Sequence, residues 1–423
     1  MSTDDNPVNV PGAGRVRSTD VRLIAGAVGI SALGDILLWV PMTLHLRELT
    51  GSGIAVAALM LCLWGPSVVL APAAGLLVDR MEARRLLVIA SLAQAVVAGA
   101  LVITLDSLAA ILVLATLLGI GIAVARPAEF VLVPVVAGDD DLVRVNGYIE
   151  TSRYAGMTAG PLLGGALVTA GSVEVAILVN ALTFVLVALA ALCLRSRRHP
   201  ERSGEGEERS ERARDGIVVL ARDRRLALVL AVGFVSLMFM SACIPAEVFF
   251  VKEDLHAGDA VYAALFSLWT LGMVIGALVV ARRVSRGLVA VAVLIAVAVQ
   301  GAGLGLATAW LSILFIGGLW VVGGLGHGTK NVLTRAMIQE SVPAALHGRA
   351  FAAYNGLRNG AELFALAGGG LLIAAVGARE TIALAGAAPF LAAVLGLAAY
   401  SRLGLTRPAA RAVPETQPSG AAS

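Results

Sequence analysis

The sequence predicts an all-α membrane protein with twelve transmembrane helices in two pseudo-symmetric six-helix bundles. Three observations lead there. Of 423 residues, 58% are hydrophobic and 14% charged, against roughly 25% charged in an ordinary soluble domain, so the chain's main solvent is lipid. Twelve apolar stretches follow one another, six on each side of a charged segment at 195–225. The halves also repeat each other. At an offset of 205, Arg144, Arg153, Gly164 and Gly165 fall on Arg349, Arg358, Gly369 and Gly370; at 201, Gly75, Leu77, Val78 and Arg85 fall on Gly276, Leu278, Val279 and Arg286.

The first six spans are expected at Leu23–Leu46, Ile54–Leu77, Leu86–Leu105, Leu108–Ala125, Val145–Ala170 and Val175–Leu194. The second six are expected at Leu226–Val251, Ala260–Ala281, Leu288–Ala307, Leu311–Leu333, Ala350–Val376 and Ile382–Tyr400. Each holds about 18 to 27 residues, which at about 1.5 Å per residue crosses a hydrocarbon core of about 30 Å. A backbone in lipid must satisfy its own hydrogen bonds, and these runs lack the short, alternating pattern of barrel strands, so they are read as helices. The 47 glycines suit close helix packing. This divides the chain into a tail (1–20), a bundle (21–194), a linker (195–225), a second bundle (226–401) and a tail (402–423). Residues 1–20 carry three Asp and no apolar core, so the first helix is expected to direct insertion.

Charge sets the orientation. Of 32 Lys and Arg, only Arg47, Lys252 and Arg379 fall in loops after odd-numbered spans. Arg153 and Arg358 lie inside spans, and the rest fall in even-numbered loops or tails. The positive-inside bias therefore places both termini and the linker in the cytoplasm of a multi-pass cell-membrane protein. The net charge of +3 reports topology, not nucleic-acid binding. The linker mixes both charge signs with Gly and Pro and is read as solvated; GIVVLARDRRL after it suits a short amphipathic surface helix. Cys62, Cys193 and Cys243 have no close-spaced partner and read as buried thiols, with no metal site or cofactor expected.

Between spans two and three stands GLLVDRMEARR, Gly75 to Arg85, a short turn whose charged groups can contact neighbouring helix ends and favour one closure state. Span five holds GMTAGPLLGG, with Gly156, Gly160, Pro161, Gly164 and Gly165; the proline interrupts the hydrogen-bond ladder and the glycines make a thin face. The first stretch resembles the signature loop of the major facilitator superfamily, with Gly75, Asp79, Arg80, Arg84 and Arg85 at its fixed positions. Glu82, where that signature usually has a second glycine, resembles the branch containing macrolide-efflux proteins and enterobactin exporters. The second stretch is similar to the superfamily's antiporter motif. One element departs: aligning Gly119 and Gly121 on the span-four pattern puts Ala115 where many antiporters carry an Arg. The resemblance implies two parallel six-helix halves enclosing a cargo cavity near the midplane, exposed alternately by rocking.

Ionisable residues inside the bilayer are candidates for function, since an aspartate at mid-membrane costs about 2.5 to 3.5 kcal/mol on insertion scales. Asp35 in span one, Glu247 in span seven and Glu362 in span eleven are the proton-coupling candidates; Asp35 alternatively forms a permanent ion pair. Arg358 and Glu362 stand four apart on one helix face and can neutralise each other. Trp39, Trp64, Arg153, Phe234, Met238, Trp269 and Arg358 are candidates to line the cavity. His327 near Lys330 reads as a packed residue. No catalytic residue is expected, because there is no Cys/His cluster, GxSxG elbow or phosphate loop; GHGTK, Gly326 to Lys330, lacks the needed order.

The expected function is secondary export of small, largely apolar molecules in exchange for protons, by a monomer. An uptake carrier of the same fold is the alternative, and a non-transporting receptor gives no reason for Asp35 and the glycine repeats. Sparse Gln and Asn in the spans, such as Gln94, Asn180, Gln300 and Asn359, favour apolar cargo.

Overall fold

A computed structural model describes residues 13–137, 142–170, 172–195, 217–343 and 346–403. Among them every regular element is helical. The first half contains α1 (Ala13–Thr50), α2 (Gly53–Val69), α3 (Ala71–Arg80), α4 (Ala83–Val102), α5 (Leu108–Ala137), α6 (Leu142–Ala170) and α7 (Val173–Cys193). A short helix at 217–222 (α8) precedes α9 (Arg224–Phe249), α10 (Asp259–Ile275), α11 (Val289–Ala307), α12 (Ile313–Ser341), α13 (His347–Val376) and α14 (Ala378–Arg402). Most of the linker and both tails lie outside the described residues.

Nine of the described helices are long and apolar enough to cross a membrane: α1, α4, α5, α7, α9, α10, α11, α13 and α14. The 29-residue α6 and α12 are as long but carry ionisable residues, Arg153 on one and His327, Lys330 and Arg335 on the other.

Several boundaries differ from expectation, and α1 begins at Ala13, ten residues ahead of Leu23. Span two breaks at Leu70, where Pro72 starts a new helix, so the expected turn from Gly75 to Arg85 shrinks to Met81 and Glu82 between α3 and α4. Span four continues past Ala125 to Ala137, which puts Arg126 and Glu129 on a helix rather than in a loop. A charge does not end this helix, because Arg126 finds a carboxylate on α1. Likewise α12 runs eight residues beyond Leu333.

The main packed pairs in one half have their counterparts in the other. α1 packs on α6 and α7 as α9 packs on α13 and α14; α4 packs on α5 and α7 as α11 packs on α12 and α14; α2 meets α5 as α10 meets α12. Between the halves, α6 meets α10 and α13 meets α2. The glycine repeat occupies these contacts. Gly164 lies against Pro41 of α1, and its repeat partner Gly369 lies against Ala242 of α9. Gly165 abuts Ala263 of α10, and Gly370 abuts Ile54 and Ala57 of α2.

The α1–α6 seam shows why small residues stand there. A Cβ on Gly156 would run into the Gly29 carbonyl oxygen, and one on Gly160 would crowd the Ile36 side chain. Helices in lipid associate through such contact rather than through expulsion of water. The helix continues unbroken through Pro161. Gly156→Ala is expected to lower stability by about 1 to 3 kcal/mol through overpacking. Gly26→Ala, with open space around the new methyl, should be neutral or up to about 1 kcal/mol stabilising. Thermal unfolding of the two variants in detergent checks the contrast.

Candidate functional site

The apolar core is shared between the halves at one end of the molecule and divided at the other. One buried cluster joins Trp39, Met60 and Phe184 to Phe250, Tyr262, Phe266 and Trp320. Two further clusters, one around Leu87 and Leu132 and one around Leu294 and Ile338, each belong to a single half. The halves are therefore sealed together at the end where α1 finishes and part toward the end where it begins. At the sealed end Arg47 pairs with Glu253 at 3.1 Å, and Ile373 lies against Gly53. Trp39 stands edge-on to Phe266 at 4.9 Å and to Trp64 at 5.3 Å.

Beneath that aromatic group lies a cavity of about 380 Å³. α1 contributes Asp35 and Trp39, α2 Trp64 and Ser67, and α5 Arg126 and Glu129; α6 adds Arg153, and α13 adds Arg358, Asn359 and Glu362. The helix periods explain the convergence. Positions 28, 31, 32, 35 and 39 of α1 recur at three and four residues, and 118, 122, 126 and 129 of α5 do the same, so each set forms one stripe.

Six ionisable side chains thus share one space. Arg126 donates to Asp35 Oδ2 at 3.2 Å, and Arg358 lies 3.7 Å from Glu362 one helical turn away. Glu129 is buried, and it feels both Arg153 and Arg126. A desolvated carboxylate is tolerable only with cations or water beside it, and this cavity supplies cations.

The expected site residues fall into three groups. Asp35, Glu362, Trp39, Trp64, Arg153 and Arg358 meet at the cavity. Phe234 lines an adjoining recess with Tyr354, their rings 6.2 Å apart. Met238 is half-buried and outside the cavity lining, while Trp269 is packed into the second half beside His327, rings 5.9 Å apart. Glu247 reaches neither an outer mouth nor headgroups: it is 4% exposed, buried within the sealed end. At the opposite end Arg84 donates to the Leu194 carbonyl at 2.8 Å, whereas Arg80 and Arg85 are exposed. The surroundings of Gly75 and the side chain of Asp79 lie outside the described set. Cys243 is buried as expected, Cys62 half-buried, and Cys193 exposed on α7.

Arg126 and Glu129 escaped the sequence reading because hydropathy closed span four at Ala125. A signal was present: Arg126 stands eleven residues after Ala115, about three turns further on nearly the same face.

A family model described as Major Facilitator Superfamily matches residues 24–249 and again 229–422. The chain belongs to this superfamily. The superfamily relatives it resembles include the uncharacterized MFS-type transporter YfiS of Bacillus subtilis (strain 168), 24% identical over 362 residues, covering 82% of this chain and 85% of that one. Macrolide efflux protein A of Streptococcus pyogenes is 22% identical over 257 residues, 59% of this chain and 63% of that protein. Among solved structures, the nucleoside transporter NupG superimposes with a TM-score of 0.69 at 14% identity, covering 91% of this chain and 99% of that one. A bacterial homologue of the iron transporter ferroportin, in its inward-facing state, gives 0.68 at 16% identity, covering 91% and 98%.

In a superfamily member sealed at one end, pinning the seal should arrest the cycle. An ideal Cβ on Gly53 lies 3.3 Å from the Ile373 Cβ, close to the separation a disulfide spans. With Cys62, Cys193 and Cys243 replaced by Ala, the Gly53→Cys/Ile373→Cys pair is expected to cross-link under mild oxidant. Transport in proteoliposomes should then stop and return on reduction.

Proposed function

We propose that the protein is a proton-coupled exporter of small, largely apolar molecules, such as drugs, macrolide-like natural products or siderophores, working as a monomer in the cell membrane. The observation that carries the reading is the cavity itself: carboxylates, guanidiniums and indole rings face one space that is closed at one end. In this reading twelve spans form two six-helix bundles, 21–194 and 226–401, joined by the linker 195–225. The matching contacts in the two halves support that division, with α2 and α3 together making the second span. The charge bias of the loops supports cytoplasmic termini, which makes the open end the inner one. An exporter takes up cargo in that posture.

Coupling follows from Asp35 and Arg126. In the inward-open state the ionised carboxylate holds Arg126. A proton taken up on the acidic outer side neutralises Asp35 and frees the guanidinium; return to the inner side restores the pair and releases the proton. Glu129 is the second candidate for this exchange, since it lies on the same face of α5 and is buried. Cargo and proton then compete for one set of charges, so that binding one expels the other, and the two fluxes run opposite ways through a single conformational cycle.

The test is cargo-driven proton movement. Pyranine-loaded proteoliposomes are exposed to a panel of apolar compounds, erythromycin and neutral, cationic and anionic drugs among them, with and without an imposed pH gradient. Wild type should move protons against at least one panel member. Asp35→Asn should lose the response to the gradient and slow coupled flux at least tenfold, about 1.4 kcal/mol in the barrier. Flux indifferent to the gradient, together with an unaffected Asp35→Asn, refutes antiport through this residue.

A further inference from the structure

The two halves carry their ionisable residues unequally, and the repeat shows where the inequality lies. At the offset of 201 that relates the earlier spans, Asp35 of α1 falls on Ser236 of α9. Arg126 of α5 falls, at the offset of 205, one residue beyond Lys330 of α12, and Arg153 falls on Arg358. The equivalent contacts exist in space. Arg126 donates to Asp35 at 3.2 Å in the first half, and Lys330 Nζ approaches Ser236 Oγ at 3.4 Å in the second. The second half thus keeps the cation of the pair and replaces its carboxylate by a hydroxyl.

Lys330 is 5% exposed. Among the described residues no carboxylate lies within ion-pair distance of it; the second half's cavity carboxylate, Glu362, sits nearest Arg358. Ser236 is itself engaged, donating to Gln300 Oε1 at 3.1 Å. A buried ammonium whose one hydrogen-bond partner among the described residues is a hydroxyl, with Glu362 acting on it from beyond ion-pair distance, is poorly compensated. Arg126, Arg153 and Arg358 formally balance Asp35, Glu129 and Glu362, so Lys330 leaves one positive charge in excess. It lines a recess with Phe234, Asn331, Thr334, Tyr354 and Arg358, and Arg358 also lines the large cavity, so the recess adjoins it. The free space there is about 20 Å³, room for about one water-sized group.

We propose that Lys330 and Arg358 form the head-group subsite for an organic monoanion, a carboxylate whose apolar body lies in the large cavity against Trp39 and Trp64. The inference rests on reading that cavity as the cargo pathway and adds the charge class of the cargo. A carboxylate displaces the water-sized occupant of the recess and neutralises the excess charge. Its body meets the indole faces. An alcohol of the same shape gains the second contact without the first, and an amine meets repulsion.

The experiment is equilibrium dialysis of detergent-purified full-length protein against 2-naphthoate, 2-naphthalenemethanol and 2-naphthylmethylamine. Wild type should bind the naphthoate at least tenfold more tightly than either analogue. Lys330→Met should erase that preference while binding of the alcohol persists, and Lys330→Arg should retain it. Ser236→Asp, which restores to the second half the carboxylate of the first, should pair Lys330 internally and also erase it. Thermal unfolding shows that each variant is folded, and a folded Ser236→Asp decides the matter should Lys330→Met fail to fold. Equal affinities for the three probes, or naphthoate binding indifferent to both Lys330→Met and Ser236→Asp, overturn the proposal. So does displacement of naphthoate by stoichiometric phosphatidylglycerol, which would assign the recess to a lipid headgroup. If naphthoate fails while neutral or cationic compounds drive proton flux in vesicles, the subsite is wrong and the exporter stands. If no compound drives flux, the exporter reading falls separately.

Discussion

A charge inside a membrane needs a partner or water, and that constraint orders this molecule. Asp35, Glu129, Arg126, Arg153, Arg358 and Glu362 come from four helices and converge on one cavity, because a lone charge facing lipid costs several kcal/mol. Their convergence keeps the helices apart there, since hydrated ion pairs do not pack like Leu against Leu. Beyond that cluster the halves close: the shared core begins at Ile36 beside Asp35 and takes in Trp39, Phe250, Tyr262 and Phe266, and at this end Arg47 and Glu253 are paired with each other.

Closure depends in turn on small residues. Gly165 against Ala263 and Gly370 against Ile54 are the same contact made twice, once from each half. Both depend on a backbone close enough to its neighbour that a side chain would displace it. Helix faces of this kind associate through close van der Waals contact, which weakens steeply once the backbones part. The same property distinguishes them from the α1–α6 seam within a half. There Gly156 and Gly160 bring long stretches of backbone together and hold α1 and α6 as one body.

Much of this was legible in the sequence. Hydropathy found each long helix to within a few residues where the span was uniformly apolar, as for α7 and α11. It failed where a span carries charge: it closed span four before Arg126, because a one-dimensional profile scores a charge by its type and cannot see a carboxylate on another helix. The break at Leu70 was missed for a related reason, since α2 and α3 are both apolar and only Pro72 marks the start of the second. Asp35 stood out as a mid-span aspartate, but its partner did not, and of the expected aromatic residues only Trp39 and Trp64 face the cavity. Trp269 looks the same in sequence; its place beside Gly323 and Gly324 in the second half's packing is a property of helix rotation.

Glu247 puts a carboxyl group inside the sealed end. The cluster around it is apolar and closely packed, and such a seal, left alone, would hold the halves together at that end. Glu247 is 4% exposed among these residues. The Tyr262 hydroxyl, on the neighbouring α10, feels the Glu247 carboxyl group and is itself buried without a hydrogen-bond partner among the described residues. An unpartnered buried hydroxyl of this kind costs roughly 1 to 3 kcal/mol on protein scales, and any movement that admits water to it recovers the cost. The seal therefore carries its own opposing term, of the size that separates two conformations of comparable population. A carrier that must leave each of its states as readily as it enters them requires that near-balance.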